Sequence, residues 1–135
     1  MQLPIRLYRI AARRPPSSLA TNSQLFLPIA TIRNAGGLAV LAHPRQMQRP
    51  FAEIRAIVEQ LVAWGLEGME VIHPDHSADD VRMFGLMAER QGLIVTGGTD
   101  FHGHLRHGVQ LGVGHGRLRV PPECVAQIRQ RLAAR

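Results

Sequence analysis

The chain has 135 residues, a net charge of +6 and a hydrophobic content of 45%. That length suits one domain with a real core and leaves little for a second. No apolar run reaches the ~18–20 residues of a membrane-spanning helix, and the lone Cys124 can close no internal disulfide, which fits a reducing, cytoplasmic setting. All 16 cations are Arg, the first acidic residue is Glu53, and residues 1–52 are purely basic. Scattered Arg beside one Trp and one Tyr is a poor nucleic-acid surface, which would cluster its cations and interleave aromatic rings.

Residues 1–27 hold no sustained period of 3.6 or 2. Arg6, Arg9, Arg13 and Arg14 precede Pro15-Pro16-Ser17-Ser18, and no continuous apolar stretch suggests a secretory signal. An organellar transit peptide reads this way; so does a lead-in foreign to the fold, left by truncation or a shifted frame, and the latter is favoured. The expected organisation is therefore a basic, irregular segment over 1–27 and one domain over 28–135.

From residue 28 the pattern becomes regular. Residues 27–35 suit a short helix stopped by Gly36-Gly37. Leu38-Ala39-Val40-Leu41-Ala42 is a continuous apolar run, as in a strand buried on both faces. Pro50 opens a helix whose stripe is Phe51, Ile54, Ile57, Val58, Leu61 and Val62, and Gly65 ends it. Gly68-Met69-Glu70-Val71-Ile72 predicts a second strand. Ser77 with Asp80 three residues on is a capping-box signature before a helix closed by Gly92. Residues 93–96 and, more weakly, 109–113 predict two further strands, and Pro121-Pro122 opens a last helix. Strands alternating with helices over short connections predict an α/β fold with about four mainly parallel strands.

In such folds functional groups gather past the carboxyl ends of the strands. The first predicted strand runs into Ala42-His43-Pro44, the second into His73-Pro74-Asp75-His76, and the third through Gly97-Gly98-Thr99 into Asp100-Phe101-His102-Gly103. In extended chain Asp100 and His102 would share a face. A carboxylate and an imidazole there suit a divalent metal such as Zn or Mn. Either motif alone is weak, since a single His before Pro is more often a hydrogen-bonded loop residue.

Residues 36–44, 65–71 and 98–103 resemble, in order and spacing, the second half of a PHP domain. The subgroup they are most similar to contains the 3',5'-nucleoside bisphosphate phosphatases and 5'-3' exoribonucleases of the RNase AM type. The resemblance covers residues 28–133. It implies a distorted β/α barrel, here partial, with up to three divalent metals (Mn, Zn, Fe or Mg) and a metal-activated water that attacks phosphorus. It places His43, Asp100 and His102 as metal ligands. It implies a phosphorylated small molecule or nucleotide as substrate, with nucleic acid only as short RNA, and no membrane partner. No Ser or Cys nucleophile with a partnered base competes with that chemistry.

The departures are upstream. The family also carries a His-x-His, a nearby Asp and further His and Glu ligands before the Ala-His-Pro strand, whereas residues 1–42 contain no His, Asp or Glu. Weak or absent activity of the chain alone is expected, either as a truncated enzyme, as a non-catalytic remnant, or as a metal-binding fragment that needs a partner chain. A half-barrel would also leave strand edges open to self-association. His73, His76 and Arg45 stand beside the site as candidate contacts to a substrate phosphate, with Arg49 a weaker one. His104 and His107 read as surface-loop residues, and His115 as lying outside the pocket.

Overall fold

The computed structural model describes residues 7–10, 23–103 and 108–135, with side chains from residue 27 onward. Its elements in chain order are β1 (Leu7–Ile10), α1 (Ser23–Asn34), β2 (Leu38–Leu41), a 3-10 turn (Pro44–Met47), α2 (Phe51–Ala63), β3 (Gly68–Ile72), α3 (Ala78–Arg90), β4 (Ile94–Gly97) and α4 (Glu123–Ala133). The four strands form one sheet in the order β1-β2-β3-β4, and every pairing is parallel. Their carboxyl ends therefore share one edge.

β2 shows why the sequence reads as an unbroken apolar run. Ala39 and Leu41 join the main core with Ile29 of α1, Ile54, Val58 and Leu61 of α2, Met69 and Val71 of β3, and Phe84 of α3. Leu38 and Val40 point the other way and pack with Ile94 and with Ile128 and Leu132 of α4. Both faces of the strand are covered, so neither can be polar. On β4, Ile94 N–H bonds inward to the Glu67 carbonyl (3.0 Å), while Val95 N–H donates to Gln127 Oε1 of α4 (3.0 Å). The last helix thus satisfies part of the outer edge that the sequence reading left open.

The capping box forms as expected. Ser77 Oγ accepts from Asp80 N–H (3.1 Å), and Asp80 Oδ2 accepts from Ser77 N–H (2.9 Å) and the Ser77 hydroxyl (2.8 Å). Ser77→Ala is expected to lower stability by about 1 kcal/mol in urea unfolding, the usual worth of such a cap.

Three expectations about elements are corrected. Residues 109–113 do not form the fourth strand. They lie in turns with one isolated bridge, Gln110 to Gly114, because Gly108, Gly112, Gly114 and Gly116 all take positive φ and break any extended run. The fourth strand is β1, inside the stretch expected to be irregular, in register from Leu7 opposite Leu38 to Ile10 opposite Leu41. The helix expected over 27–35 starts at Ser23 and carries Pro28 inside it. Buried Ile29 anchors it to the core, and Thr31 Oγ1 donates to the Leu27 carbonyl (2.8 Å). Arg6, Arg13 and Arg14 lie outside the described residues.

Candidate metal and phosphate site

Each of β2, β3 and β4 hands a polar side chain to the same edge of the sheet. Two residues past β2, His43 adopts a left-handed conformation (φ 30°) at the start of the 3-10 turn. Such backbone is sparsely populated outside Gly and costs of order 1–3 kcal/mol, so it marks a place the surroundings hold. The holding group is Glu70 of β3, whose Oε2 accepts the His43 N–H at 2.8 Å. Glu70 is only 3% exposed and sits between Met69 and Val71, which face the opposite way into the core. Beside its other oxygen the chain has Gly98, where an added Cβ would lie 3.6 Å from Oε1.

His73 follows β3 directly. Its side chain is fully buried, with the His43 ring edge-on at 5.7 Å between centroids and the His76 ring tilted at 5.2 Å. Its Nε2 stands 3.7 Å from Asp100 Oδ2. That meeting depends on β4 coming close to β3 as both strands end. Gly97 allows it, since a Cβ there would come within 2.7 Å of Ile72 Cβ and 2.9 Å of the Ile72 carbonyl oxygen. The Asp100 side chain is 10% exposed, and its backbone is also left-handed (φ 51°).

Asp100 and His102 are neighbours, for a reason other than the one expected. β4 has ended at Gly97 and the backbone at Asp100 is not extended, so a shared strand face does not join them. A tight turn does. The His102 ring folds back so that Nδ1–H donates to the Asp100 carbonyl oxygen (2.6 Å), which also brings it 3.9 Å from Asp100 Oδ1. With Nδ1 so engaged, Nε2 keeps its lone pair on a ring that is half exposed. A backbone carbonyl behind the imidazole is a common way to orient a metal-binding His.

The donor chemistry of Asp100 and His102 therefore fits a divalent cation, and His43 adds a third imidazole against the His73 ring. Among the described residues no group of three His, Cys, Asp or Glu converges closely enough to hold a metal by itself. The sequence-predicted residues thus form a chain of contacts, His43 to His73 to Asp100 to His102, and not a closed cage.

His76 Nδ1–H donates to the Val71 carbonyl oxygen (2.7 Å), which leaves Nε2 as a lone pair. The Nε2 atoms of His73 and His76 are both buried, without a hydrogen-bond partner among the described residues. Burial, then the neighbouring His76, push His73 down to about 4, although Asp75 and Asp100 pull the other way; burial likewise lowers His76. Both rings are therefore neutral at pH 7. Arg45 leaves the 3-10 turn, lies over the Phe51 ring (5.3 Å) and pairs with Asp80 (3.5 Å). Burial alone would raise the Asp80 carboxyl, but the two Ser77 hydrogen bonds and the Arg45 charge hold it below its usual value. Arg49 pairs with Glu53 (2.7 Å). His115 is exposed and bonds through Nδ1 to the Gly108 carbonyl (3.1 Å). His104 and His107 lie outside the described residues.

Glu70 is the site residue that sequence reasoning missed. Its signal was present: a carboxylate in the middle of an apolar strand must have a buried partner.

A parallel βα sheet that gathers imidazole and carboxylate at its carboxyl edge is the architecture of the barrel-type metal-dependent hydrolases. An amidohydrolase from Chromobacterium violaceum, solved with sulfate and no metal, superposes with a TM-score of 0.62 at 31% identity, over 79% of this chain and 37% of that one. A protein from Bifidobacterium adolescentis assigned as a metal-dependent phosphoesterase superposes equally well at 30% identity, over 79% of this chain and 36% of that one. In sequence, the chain is 38% identical over 96 residues to the 3',5'-nucleoside bisphosphate phosphatase of C. violaceum, covering 71% of this chain and 33% of that protein. It is 41% identical over 86 residues to the phosphoribosyl 1,2-cyclic phosphate 1,2-diphosphodiesterase of Eggerthella lenta, covering 64% and 29%. It is 34% identical over 74 residues to the 5'-3' exoribonuclease of Haemophilus influenzae, covering 55% and 27%. No family profile matches the chain. The chain spans about a third or less of the length of these curated relatives. Over that part the chain is similar to PHP-family phosphoesterases. No helix among the described residues is long and apolar enough to cross a membrane.

Proposed function

We propose that the chain is the C-terminal part of a metal-dependent phosphoesterase acting in the cytoplasm on a phosphate ester of a nucleotide or short RNA. The observation that carries this reading is the run of contacts from His43 through His73 and Asp100 to His102 at the ends of three adjacent parallel strands, in a chain similar to a nucleoside bisphosphate phosphatase. His43, Asp100 and His102 would hold the cation, which is Mn, Zn, Fe or Mg. When bound, it supplies charge neutralisation on phosphate oxygens and an activated water. Arg45 is the side chain free enough to reach a phosphate, with its side chain 42% exposed and its guanidinium steadied by Asp80 and Phe51. His73 and His76 stand just past β3 as neutral rings, the further candidate contacts to that phosphate.

A second reading draws on the open arrangement of the ligands among the described residues. There the chain binds metal but turns over substrate only when another polypeptide supplies ligands, as the lack of His, Asp and Glu in residues 1–42 also suggests. Phosphate release from a nucleoside 3',5'-bisphosphate, with excess Mn or Zn, separates the two. Slow turnover, well under ~1 per second where enzymes commonly begin, and its loss in Asp100→Ala, support the first. Zinc binding without turnover supports the second, and neither binding nor turnover refutes both.

A further inference from the structure

We propose that His73 is a positioning residue: it holds the Asp100 carboxylate through an Nε2–H donor and is not itself a metal ligand. The backbone N–H of Asp75 donates to His73 Nδ1 at 3.1 Å, and a backbone N–H can only donate. Nδ1 therefore carries the lone pair, and the single proton of the neutral ring sits on Nε2. That atom has no hydrogen-bond partner among the described residues, and the side chain around it is wholly buried. A buried N–H left unsatisfied costs about 1–3 kcal/mol, so it draws on whatever acceptor is nearest. The acceptor in front of it is Asp100 Oδ2, 3.7 Å away, a short closure from a normal hydrogen bond.

Two neighbouring imidazoles are wired the opposite way. His102 and His76 donate Nδ1–H to the carbonyls of Asp100 and Val71, and each presents an Nε2 lone pair. The two oxygens of Asp100 are divided to match. Oδ2 faces the donor of His73, while Oδ1 lies on the His102 side. A ligating carboxylate with one oxygen held by a buried donor keeps the other aimed at the cation, which is how outer hydrogen bonds tune a metal site. Residues 73 and 75 belong to the same short loop, so the Asp75 N–H that sets the tautomer is fixed locally by the turn after β3.

The proposal rests on the reading of Asp100 as a ligand, and its test separates the two. Long-range proton–nitrogen NMR correlations on the 15N-labelled chain report each tautomer. His73 is expected as the Nε2–H form, and His102 and His76 as Nδ1–H forms. On titration with zinc alone, the His102 ring should shift while His73 keeps its Nε2–H. An Nδ1–H tautomer at His73, or loss of its Nε2–H on adding zinc, overturns the proposal. If the tautomers are as expected and zinc moves neither His43 nor His102, the metal reading is what has failed, and the positioning role goes with it. A variant pair tests the donor directly by calorimetry. His73→Leu removes it and should weaken zinc binding 10–100-fold, whereas His73→Gln, whose amide N–H reaches the same place, should recover most of that loss. Unchanged affinity in His73→Leu, or equal loss in both variants, refutes a role for the donor.

Discussion

Acidification from pH 6.5 to about 4 is expected to cost the fold about 3 kcal/mol through His73 alone. The folded ring binds its proton only near 4, against 6.5 for an ordinary His, because burial disfavours the charged form and His76 adds to the penalty. Above pH 6.5 both folded and unfolded chains hold this ring neutral, and its effect on stability is constant. Between 6.5 and about 4 the unfolded chain takes up a proton that the folded chain refuses, so each unit of acidification favours unfolding by up to about 1.4 kcal/mol. Below about 4 both states are protonated and the slope from this ring ends. His76, shifted in the same direction by the same cause, adds to the loss. Asp80 acts lower: its depressed carboxyl contributes stability above the ordinary value of 3.8, which is lost as pH falls below that. The two windows can therefore be told apart. Urea unfolding at pH 7, 5.5 and 4.5 should show the decline already at 5.5, and His73→Gln should flatten it. A stability that does not change between pH 7 and 4.5 would contradict a buried, neutral His73.

Much of this fold is legible in the sequence because its signals are local. The apolar run of β2, the stripe of α2 behind Pro50 and the Ser77–Asp80 box each follow from neighbouring residues alone, and each forms where expected. β1 was missed because Leu7–Ile10 is four residues long and takes its conformation from pairing with β2, a contact some thirty residues away in sequence. The false strand at 109–113 alternates acceptably, but the glycines around it favour turns more strongly than two exposed apolar side chains favour a sheet; Leu111 is 75% exposed. The candidate site divides the same way. His43, Asp100 and His102 announce themselves by motif. The burial of His73 depends on three strand ends meeting, and on Gly97 letting two of them approach, so from sequence it reads as a loop His that could touch a phosphate and not as a buried ring beside Asp100. Even so, His73 follows β3 much as His43 follows β2, and that parallel is a usable signal in an all-parallel sheet.

Glu70→Ala is expected to have a double effect, on the fold and on metal affinity. In the folded chain the His43 N–H has Glu70 Oε2 as its acceptor at 2.8 Å. Removing the carboxylate leaves that donor without this partner, at about 1–3 kcal/mol, and opens a void where the Glu70 side chain, only 3% exposed, was packed. The left-handed backbone at His43, itself costly by about 1–3 kcal/mol, then loses the bond that offsets it. His43 should relax toward an ordinary conformation and carry its ring away from His73 and Asp100. Urea unfolding should show a loss of about 2–4 kcal/mol from these combined causes. Zinc affinity should fall 10–100-fold, as for other outer-shell partners of a metal site. Glu70→Gln separates geometry from charge: its amide oxygen can still accept the His43 N–H, so the turn and most of the affinity should survive. If Glu70→Ala unfolds at the same urea concentration as the parent and binds zinc as tightly, then His43 is held by something other than this bond, and the route from β3 to the His43 ring is wrong.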